Sequence, residues 1–448
     1  MSKLLLTFYG DDFTGSTDAL EQLTLAGIRT ALFIQSPTPA QLQKFPGLQA
    51  IGVAGKTRSL APGAMERELK TFLVALKKLK PRHVHYKVCS TFDSAPNVGS
   101  IGKVMDLAAK IFPAKFIPLL VAAPTLGRFT VFGQHFARYG IGSAGAIHRL
   151  DRHPSISKHP VTPMTEADLR LHLSKQTRKK MALFDILKLA LPEKEFQCAL
   201  QKILAEKPGV VLFDALTIED LARIGGVLEK CATAKNPLFS VGSSGIENAL
   251  AAHWAGGAMR SRVPAGRQVS PTKQILVGSG SCSPVTSGQI AWALKNGFAE
   301  VPLDTMALAN PQKRLAEIAR AVGSASKLLK SQRSVIVHTT KSGSDKRIAA
   351  KLKNTMAQIL GTAIGEVLRA VVAQSSVRRI CIAGGDTSSF AAQALGIEAL
   401  EMIASLTPGA PLCRAFAPNS PVDKLEVVFK GGQVGAKDYL QTVLKGNS

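Results

Sequence analysis

Ten apolar runs, each closing in small or polar residues, constrain this chain more than any other feature. They are LLLTFYGDD (4–12), LQAIGVAGKT (48–57), HVHYKVCST (83–91), FIPLLVAAPT (116–125), VVLFDALT (210–217), PLFSVGSSG (237–245), QILVGSGS (274–281), SVIVHTT (334–340), RICIAGGDTSS (379–389) and LEVVFKGG (425–432). Helical patterns separate them. In STDALEQLTLAG, Ala19, Leu23 and Ala26 share one face, and Thr165 opens a T-x-x-D capping signal before DLRLHLSKQ. Strands alternating with helices predict largely parallel or mixed sheets flanked by helices. In such α/β sheets ligands bind beyond the carboxyl ends of the strands. The polar clusters of this sequence sit at those ends.

The chain has 448 residues, room for two domains. The stretch AGGAMRSRVPAGRQVSPT (255–272) has no helix or strand period and reads as a linker. It predicts one domain over 1–254 and another over 273–448. The six cysteines are scattered without a C-x-x-C pair, which argues against a disulfide framework or zinc site and fits a reducing cytoplasm. The N-terminus lacks a cleavage pattern, and no apolar run is expected to span a membrane. The net charge is +25. Such an excess suits a basic solvated surface, anionic small molecules, or nucleic acid. Only 6% of residues are aromatic and no RNA-binding signature occurs, so nucleic acid is not the expected partner.

Four clusters fall in the first half. Asp11 and Asp12 lie between a strand and a helix start. One aspartate there caps the helix; a second must face elsewhere, toward a polyol, a metal or a proton. In YKVCSTFDSAPNVGSIG (86–102), Lys87 precedes Ser90, Thr91, Asp93 and Ser94, a set that suits a hydroxylated anion or an ordinary turn. Arg58 follows the run at 48–57 and Arg128 the run at 116–125. Arg grips a carboxylate with two prongs, so either is expected to hold the acid group of a small ligand. The second half has three glycine-rich turns between strand and helix: VGSGSCSPVTSGQI, CIAGGDTSSFAAQALG and FKGGQVG. Glycine lets backbone approach a phosphate, helix N-termini point N–H groups at it, and Asp386 is a candidate magnesium ligand.

Some patterns are set aside. GIGSAG (140–145) matches G-x-G-x-x-G but follows no clear strand. AGKT (54–57) lacks the first glycine of a P-loop, since position 50 is Ala50. His148, His153 and His159 fit no zinc spacing and read as solvated loop histidines. Ser243 and Ser244 lack a nucleophile elbow, because position 241 is Val241.

In this order the clusters resemble the four-carbon acid sugar kinase family over nearly the whole chain. GDDFTGSTD (10–18) is similar to its N-terminal marker; residues 86–102, APTLGRFTVFGQHFA and KHPVTPMTEADLRLHL resemble its next blocks. GSGSCSPVTSGQI, AGGDTSS, TPGAPLCRAF and FKGGQVG resemble its nucleotide-binding blocks. The chain departs from the pattern at Gly431 (usually Ser), Val434 (usually Phe) and Ser389 (often Gly). The resemblance implies ATP- and Mg2+-dependent phosphorylation of a sugar acid such as a 3-oxo-tetronate, D-threonate or D-erythronate. It implies a sugar-binding and a nucleotide-binding domain with the active site in the cleft between them. Asp11, Asp12, Arg58, Lys87, Ser90, Thr91, Asp93 and Arg128 would then bind the acid. Ser281, Gly384, Gly385, Asp386, Thr387, Gly409, Gly431 and Gly432 would hold ATP. Asp12, then Asp93, is the candidate base. A small-molecule kinase without nucleic-acid or membrane partners, with a homo-oligomer as one open state, is expected; a sugar-acid sensor, a basic nucleic-acid-associated protein and a dehydrogenase are the alternatives.

Overall fold

The computed structural model describes residues 4–139, 145–159, 161–233, 236–256, 269–340 and 353–446, with the side chains of 353–355 and 386 outside that set. The chain divides into two compact units, Met1–Thr30 with Ser36–Val263, and Ala31–Gln35 with Pro264–Ser448. Within the stretch read as a linker, 257–268 lie outside the described residues, as do 140–144 of GIGSAG.

In the first unit the described strands run in the order Ala50–Ala54, Leu6–Gly10, His83–Lys87, Leu238–Gly242, Ile117–Leu120, Val210–Phe213, Met181–Phe184, and every pairing is parallel. Leu6–Gly10 and His83–Lys87 are buried at every position, which is why their sequences read as continuous apolar runs or carry unusual buried polar groups. One face of the sheet presents Tyr9, Val53, Val84 and Tyr86 to helices Pro62–Lys78 and Ile101–Ile111, whose Leu69, Leu73, Val104 and Met105 complete the core. Each such side chain removed from water contributes about 1.5–3 kcal/mol. A small antiparallel sheet, Arg128–Val131, Gln134–Arg138 and Ile147–Arg149, follows the Ile117–Leu120 strand.

The second unit orders its strands Ala299–Pro302, Val335–His338, Leu276–Ser279, Arg379–Ala383, Glu426–Lys430, Leu412–Phe416, Ala399–Ala404, Thr30–Phe33. The first five are parallel and the rest antiparallel, so its sheet is mixed. Thr30–Phe33 joins because Phe33 pairs with Ala399 and Ile34 N–H donates to Glu398 O at 3.0 Å. This strand is distant in sequence from its partners, and no local signal announces it.

All ten apolar runs contain a strand, at Leu6–Gly10, Ala50–Ala54, His83–Lys87, Ile117–Leu120, Val210–Phe213, Leu238–Gly242, Leu276–Ser279, Val335–His338, Arg379–Ala383 and Glu426–Lys430. Three local expectations are corrected. Asp168, not Thr165, caps helix Leu169–Ser174, accepting from Arg170 N–H at 2.9 Å. His153 is buried rather than solvated, and its Nδ1 accepts from the N–H groups of Ser155 and Ile156. Helix Lys353–Ala373 does contain a stretch, Met356–Ala373, long and apolar enough to cross a membrane. Half of that stretch is buried, with Ile364 and Leu368 packed over Gly278 of the Leu276–Ser279 strand, so it serves as a core helix of the unit.

Candidate active site

The parallel register of the first unit places strand ends in one row. Gly10 pairs with Ala54 and with Lys87, Lys87 pairs with Gly242, and Gly242 with Leu120. The segments beyond that row carry Asp11, Asp12, Arg58, Ser90, Thr91 and Asp93, and Arg128 at the start of the Arg128–Val131 strand.

Asp12 is the N-cap of helix Phe13–Leu25. Its Oδ1 accepts from Gly15 N–H at 2.8 Å, and its Oδ2 accepts from the Thr14 hydroxyl at 2.7 Å and from Arg58 Nη2. Burial pushes this carboxyl up, but Arg58, Thr14, Gly15 and Lys87 outweigh it and hold Asp12 below its ordinary range. Asp11 behaves oppositely. Its backbone is fixed, N–H to Lys87 O at 2.8 Å and C=O from Arg58 N–H at 3.0 Å, yet its Oδ1 is buried with no hydrogen-bond partner. Burial, only partly offset by Arg58 and compounded by the Asp12 charge, pushes its carboxyl up to about 7. The adjacent aspartates therefore differ: one is a carboxylate held down as the helix cap, the other a carboxyl pushed up by burial.

Arg58 joins the two loops. It pairs with Asp12, and its Nη1 lies 3.5 Å from Asp93 Oδ2. Asp93 Oδ1 accepts from the Thr91 hydroxyl at 3.0 Å, and Thr91 in turn contacts Cys89 Sγ at 2.9 Å. Phe92, between them, is fully buried at φ +59°, with its N–H on Cys89 O at 2.9 Å. A bulky residue in the left-handed region costs of order 1 kcal/mol or more, and here it returns Asp93 toward Arg58. Ser90 is held through its carbonyl, which accepts from buried His135 Nε2 at 2.9 Å.

Lys87 is 1% exposed. Its Nζ lies 3.3 Å from Asp18 Oδ2 and donates to Val88 O at 3.1 Å. Burial lowers its proton affinity, but Asp18, Glu247, Cys89 and Asp11 raise it further, so it stays charged. Glu247, buried on helix Gly245–Trp254 with neither carboxyl oxygen hydrogen-bonded, is pushed up to about 8 by burial despite Lys87. Asp18, at 3.3 Å, is therefore the acid within ion-pairing distance of Lys87. Sequence reading missed both acids. A signal existed for one: Gly15, Asp18 and Gln22 share a helix face, and a Cβ on Gly15 would lie 3.4 Å from Lys87 Nζ.

Arg128 is 5% exposed. Its Nη1 donates to the carbonyls of Leu126 (3.0 Å), Gly127 (3.3 Å) and Arg138 (3.0 Å), and its Nε is buried without a partner. Among the described residues no carboxylate lies within ion-pairing distance of it. Burial lowers its proton affinity, with Cys89, Asp93 and Asp18 opposing. Arg58 is committed to protein carboxylates and Arg128 is not, a distinction absent from the sequence.

In the second unit the glycine turns converge. Gly384 has φ +119°, and a Cβ there would sit 2.9 Å from Thr387 Oγ1 and 3.4 Å from Ser281 N. A Cβ on Gly432 would sit 2.8 Å from Ser281 Oγ, and one on Gly280 would collide with Thr387. These three glycines therefore lie against the Ser281 and Thr387 hydroxyls, an arrangement of small and hydroxyl-bearing turns of the kind a polyphosphate cradle uses. Gly384 precedes helix Gly385–Ala394 with no side-chain cap, leaving first-turn N–H groups for an anion. Gly431 is the turn whose carbonyl accepts from Val434 N–H at 3.2 Å. Gly409 has φ +81° and open space where a Cβ would stand. The Asp386 side chain lies outside the described residues. Among those described, no cluster of three His, Cys, Asp or Glu could hold a metal.

Residues 6–250 match the family model described as a sugar-binding N-terminal domain, and 276–440 that described as a nucleotide-binding C-terminal domain. A 3-oxo-isoapionate kinase of Paraburkholderia graminis is 40% identical, over 99% of this chain and 94% of its own length. A 3-oxo-tetronate kinase of Methylobacterium radiotolerans is 30% identical, over 98% of this chain and 99% of its own. A crystal structure of a Salmonella typhimurium LT2 protein, described as a tRNA synthase, superposes with a TM-score of 0.77 at 24% identity, covering 99% of each chain. That last likeness is one of fold. With both halves matched in order and a 40% relative along its length, the chain belongs to the four-carbon acid sugar kinase family.

Proposed function

We propose that this chain uses ATP to phosphorylate a hydroxyl of a small 3-oxo sugar acid, with Arg128 holding the carboxylate of that acid. The chain is a sugar-acid kinase by family, and the names of its relatives share a 3-oxo acid as substrate. The observation that carries the acid assignment is Arg128: a buried guanidinium with an unpartnered Nε and no carboxylate of its own among the described residues. A substrate carboxylate would supply the missing charge.

The remaining roles follow from what each group has left to give. Asp12 has donors on both oxygens, so it orients Arg58 and the helix rather than taking a proton. Asp93, with Oδ2 at 3.5 Å from Arg58, keeps more acceptor capacity and is the better candidate to orient the attacking hydroxyl. Lys87 and Arg58 offer positive charge where negative charge accumulates during transfer. In the second unit the Ser281, Gly384, Gly385, Thr387 and Gly432 turns would hold the phosphates. Magnesium would neutralise charge on the transferred phosphoryl group when bound, and Asp386 is its candidate ligand.

The test is a coupled ADP-release screen over 3-oxo sugar acids and their reduced C4 counterparts, with 3-oxo-isoapionate first because of the 40% relative. Turnover on one member is expected; folded protein that binds ATP yet turns over none would sink the assignment. Arg128→Leu should raise KM for the acid roughly 10–100-fold and leave KM for ATP unchanged, the loss of one charge-assisted contact. Equal effects on both KM values would remove Arg128 from the acid site.

A further inference from the structure

We propose that Lys430 is a charge-linked positioning residue of the nucleotide site: it sets the glycine turns in place, and the phosphates of ATP supply the counter-charge that its buried ammonium lacks among the described residues. This rests on the reading that the second unit binds ATP.

Lys430 closes the Glu426–Lys430 strand and is 0% exposed. Its backbone carbonyl accepts from Gly384 N–H at 3.0 Å, fixing one turn. Its Nζ donates to Thr286 Oγ1 at 3.0 Å, and the Thr286 hydroxyl donates to Gly432 O at 2.9 Å, fixing another. One residue thus ties together the two turns whose glycines face Ser281. The sequence reading used the glycines of FKGGQVG and overlooked the lysine before them.

The charge is what a structural role does not explain. Two other buried cations have acids, Arg379 pairing with Glu426 at 2.7 Å and Lys87 with Asp18 at 3.3 Å, whereas Arg128, assigned above to the substrate acid, shares with Lys430 the lack of one among the described residues. Among the described residues Lys430 has none. The facing groups are Thr286 from helix Pro284–Lys295, the Tyr439 ring 5.8 Å away from helix Tyr439–Lys445, and Cys381 from strand Arg379–Ala383. The Cys381 thiol is pushed up to about 12 by burial and stays neutral. Helix Gly385–Ala394 brings Asp386, whose side chain lies outside the described residues. Burying an ammonium without an acid is costly, and a methionine would fill the space without that cost. Burial pushes Lys430 down to about 8, so part of the empty protein has lost this proton at mildly alkaline pH. Bound phosphates favour the charged form, so ATP binding should take up a proton there.

The experiment is calorimetric titration of ATP into the full chain, from about pH 7 to about pH 9.5, in buffers of different ionisation enthalpy. At about pH 9 ATP is fully ionised, so proton uptake reports the protein. Wild type is expected to take up a substantial fraction of one proton and to lose affinity as pH rises past about 8. Lys430→Met should bind ATP on the order of 10–100-fold more weakly at pH 7, without proton uptake or pH dependence, and should melt no lower than wild type. Lys430→Arg, always charged, should keep its affinity at high pH if it folds. ATP binding by wild type without proton uptake, or with Lys430→Met as tight as wild type, overturns the role of Lys430 and leaves the kinase reading standing. A folded wild type that binds no ATP overturns the kinase reading, and this inference with it.

Discussion

Replacing Arg58 with Met is expected to destabilise the protein by roughly 2–4 kcal/mol at pH 7 and to lower kcat/KM by at least about a thousandfold. Arg58 pairs with Asp12 and approaches Asp93 at 3.5 Å, and Asp11 also feels its charge. Without it, three carboxyls face one another in a poorly solvated site. Asp12 would lose the main influence holding its carboxyl down, and the loop carrying Asp93 would lose its tether to the Asp12 helix cap. Lys at this position restores charge but cannot bridge two carboxylates, so Arg58→Lys should recover stability more than rate. Urea unfolding and coupled ADP release measure the two effects. Wild-type unfolding in Arg58→Met would show that the ion pairs are ornamental.

The second large effect is a gain. Asp11→Asn should raise stability at pH 8 by about 2–3 kcal/mol, while flattening the pH dependence between about pH 4 and 7. The folded carboxyl titrates at about 7, well above its ordinary value. Between the two values the folded state holds a proton that the unfolded chain has released, so stability falls as pH rises through that window. Asn removes the titration, though its amide still needs a partner in a buried place, which limits the gain. Asp12 has the opposite sign: its folded value is depressed, so its contribution is present above about pH 4 and is lost on further acidification. Urea midpoints measured from about pH 4 to 8 distinguish the two residues. An Asp11→Asn protein with the wild-type slope would assign the pH dependence elsewhere.

Much of the local chemistry was legible without a structure. The apolar runs announced buried strands because parallel strands covered on both faces tolerate few polar side chains. GDDFTGSTD announced a helix cap, and Asp12 is one. The glycine turns announced close backbone approach, and Gly280, Gly384 and Gly432 each leave no room for a Cβ. These are properties of short windows, where the steric and hydrogen-bonding demands lie within a few residues.

What the windows do not contain is partnership. Asp11 and Asp12 are neighbours of identical chemistry, and only their surroundings make one an ionised cap and the other an acid titrating at about 7. Arg58 and Arg128 read alike as carboxylate grips, but folding commits the first to Asp12 and Asp93 and leaves the second among carbonyls. Lys430 passed as part of a turn until its burial and its hold on Thr286 were visible. The strand Thr30–Phe33 carried no sign that it would pair with Ala399–Ala404. Sequence by itself determined the alternation of strand and helix, the strand-end position of the polar clusters and the glycine turns, because backbone sterics and hydrophobic periodicity act locally. Tertiary structure alone decided which charges are buried, which are paired and which are left for a ligand, because desolvation and Coulomb energies depend on distances between segments that sequence order does not fix.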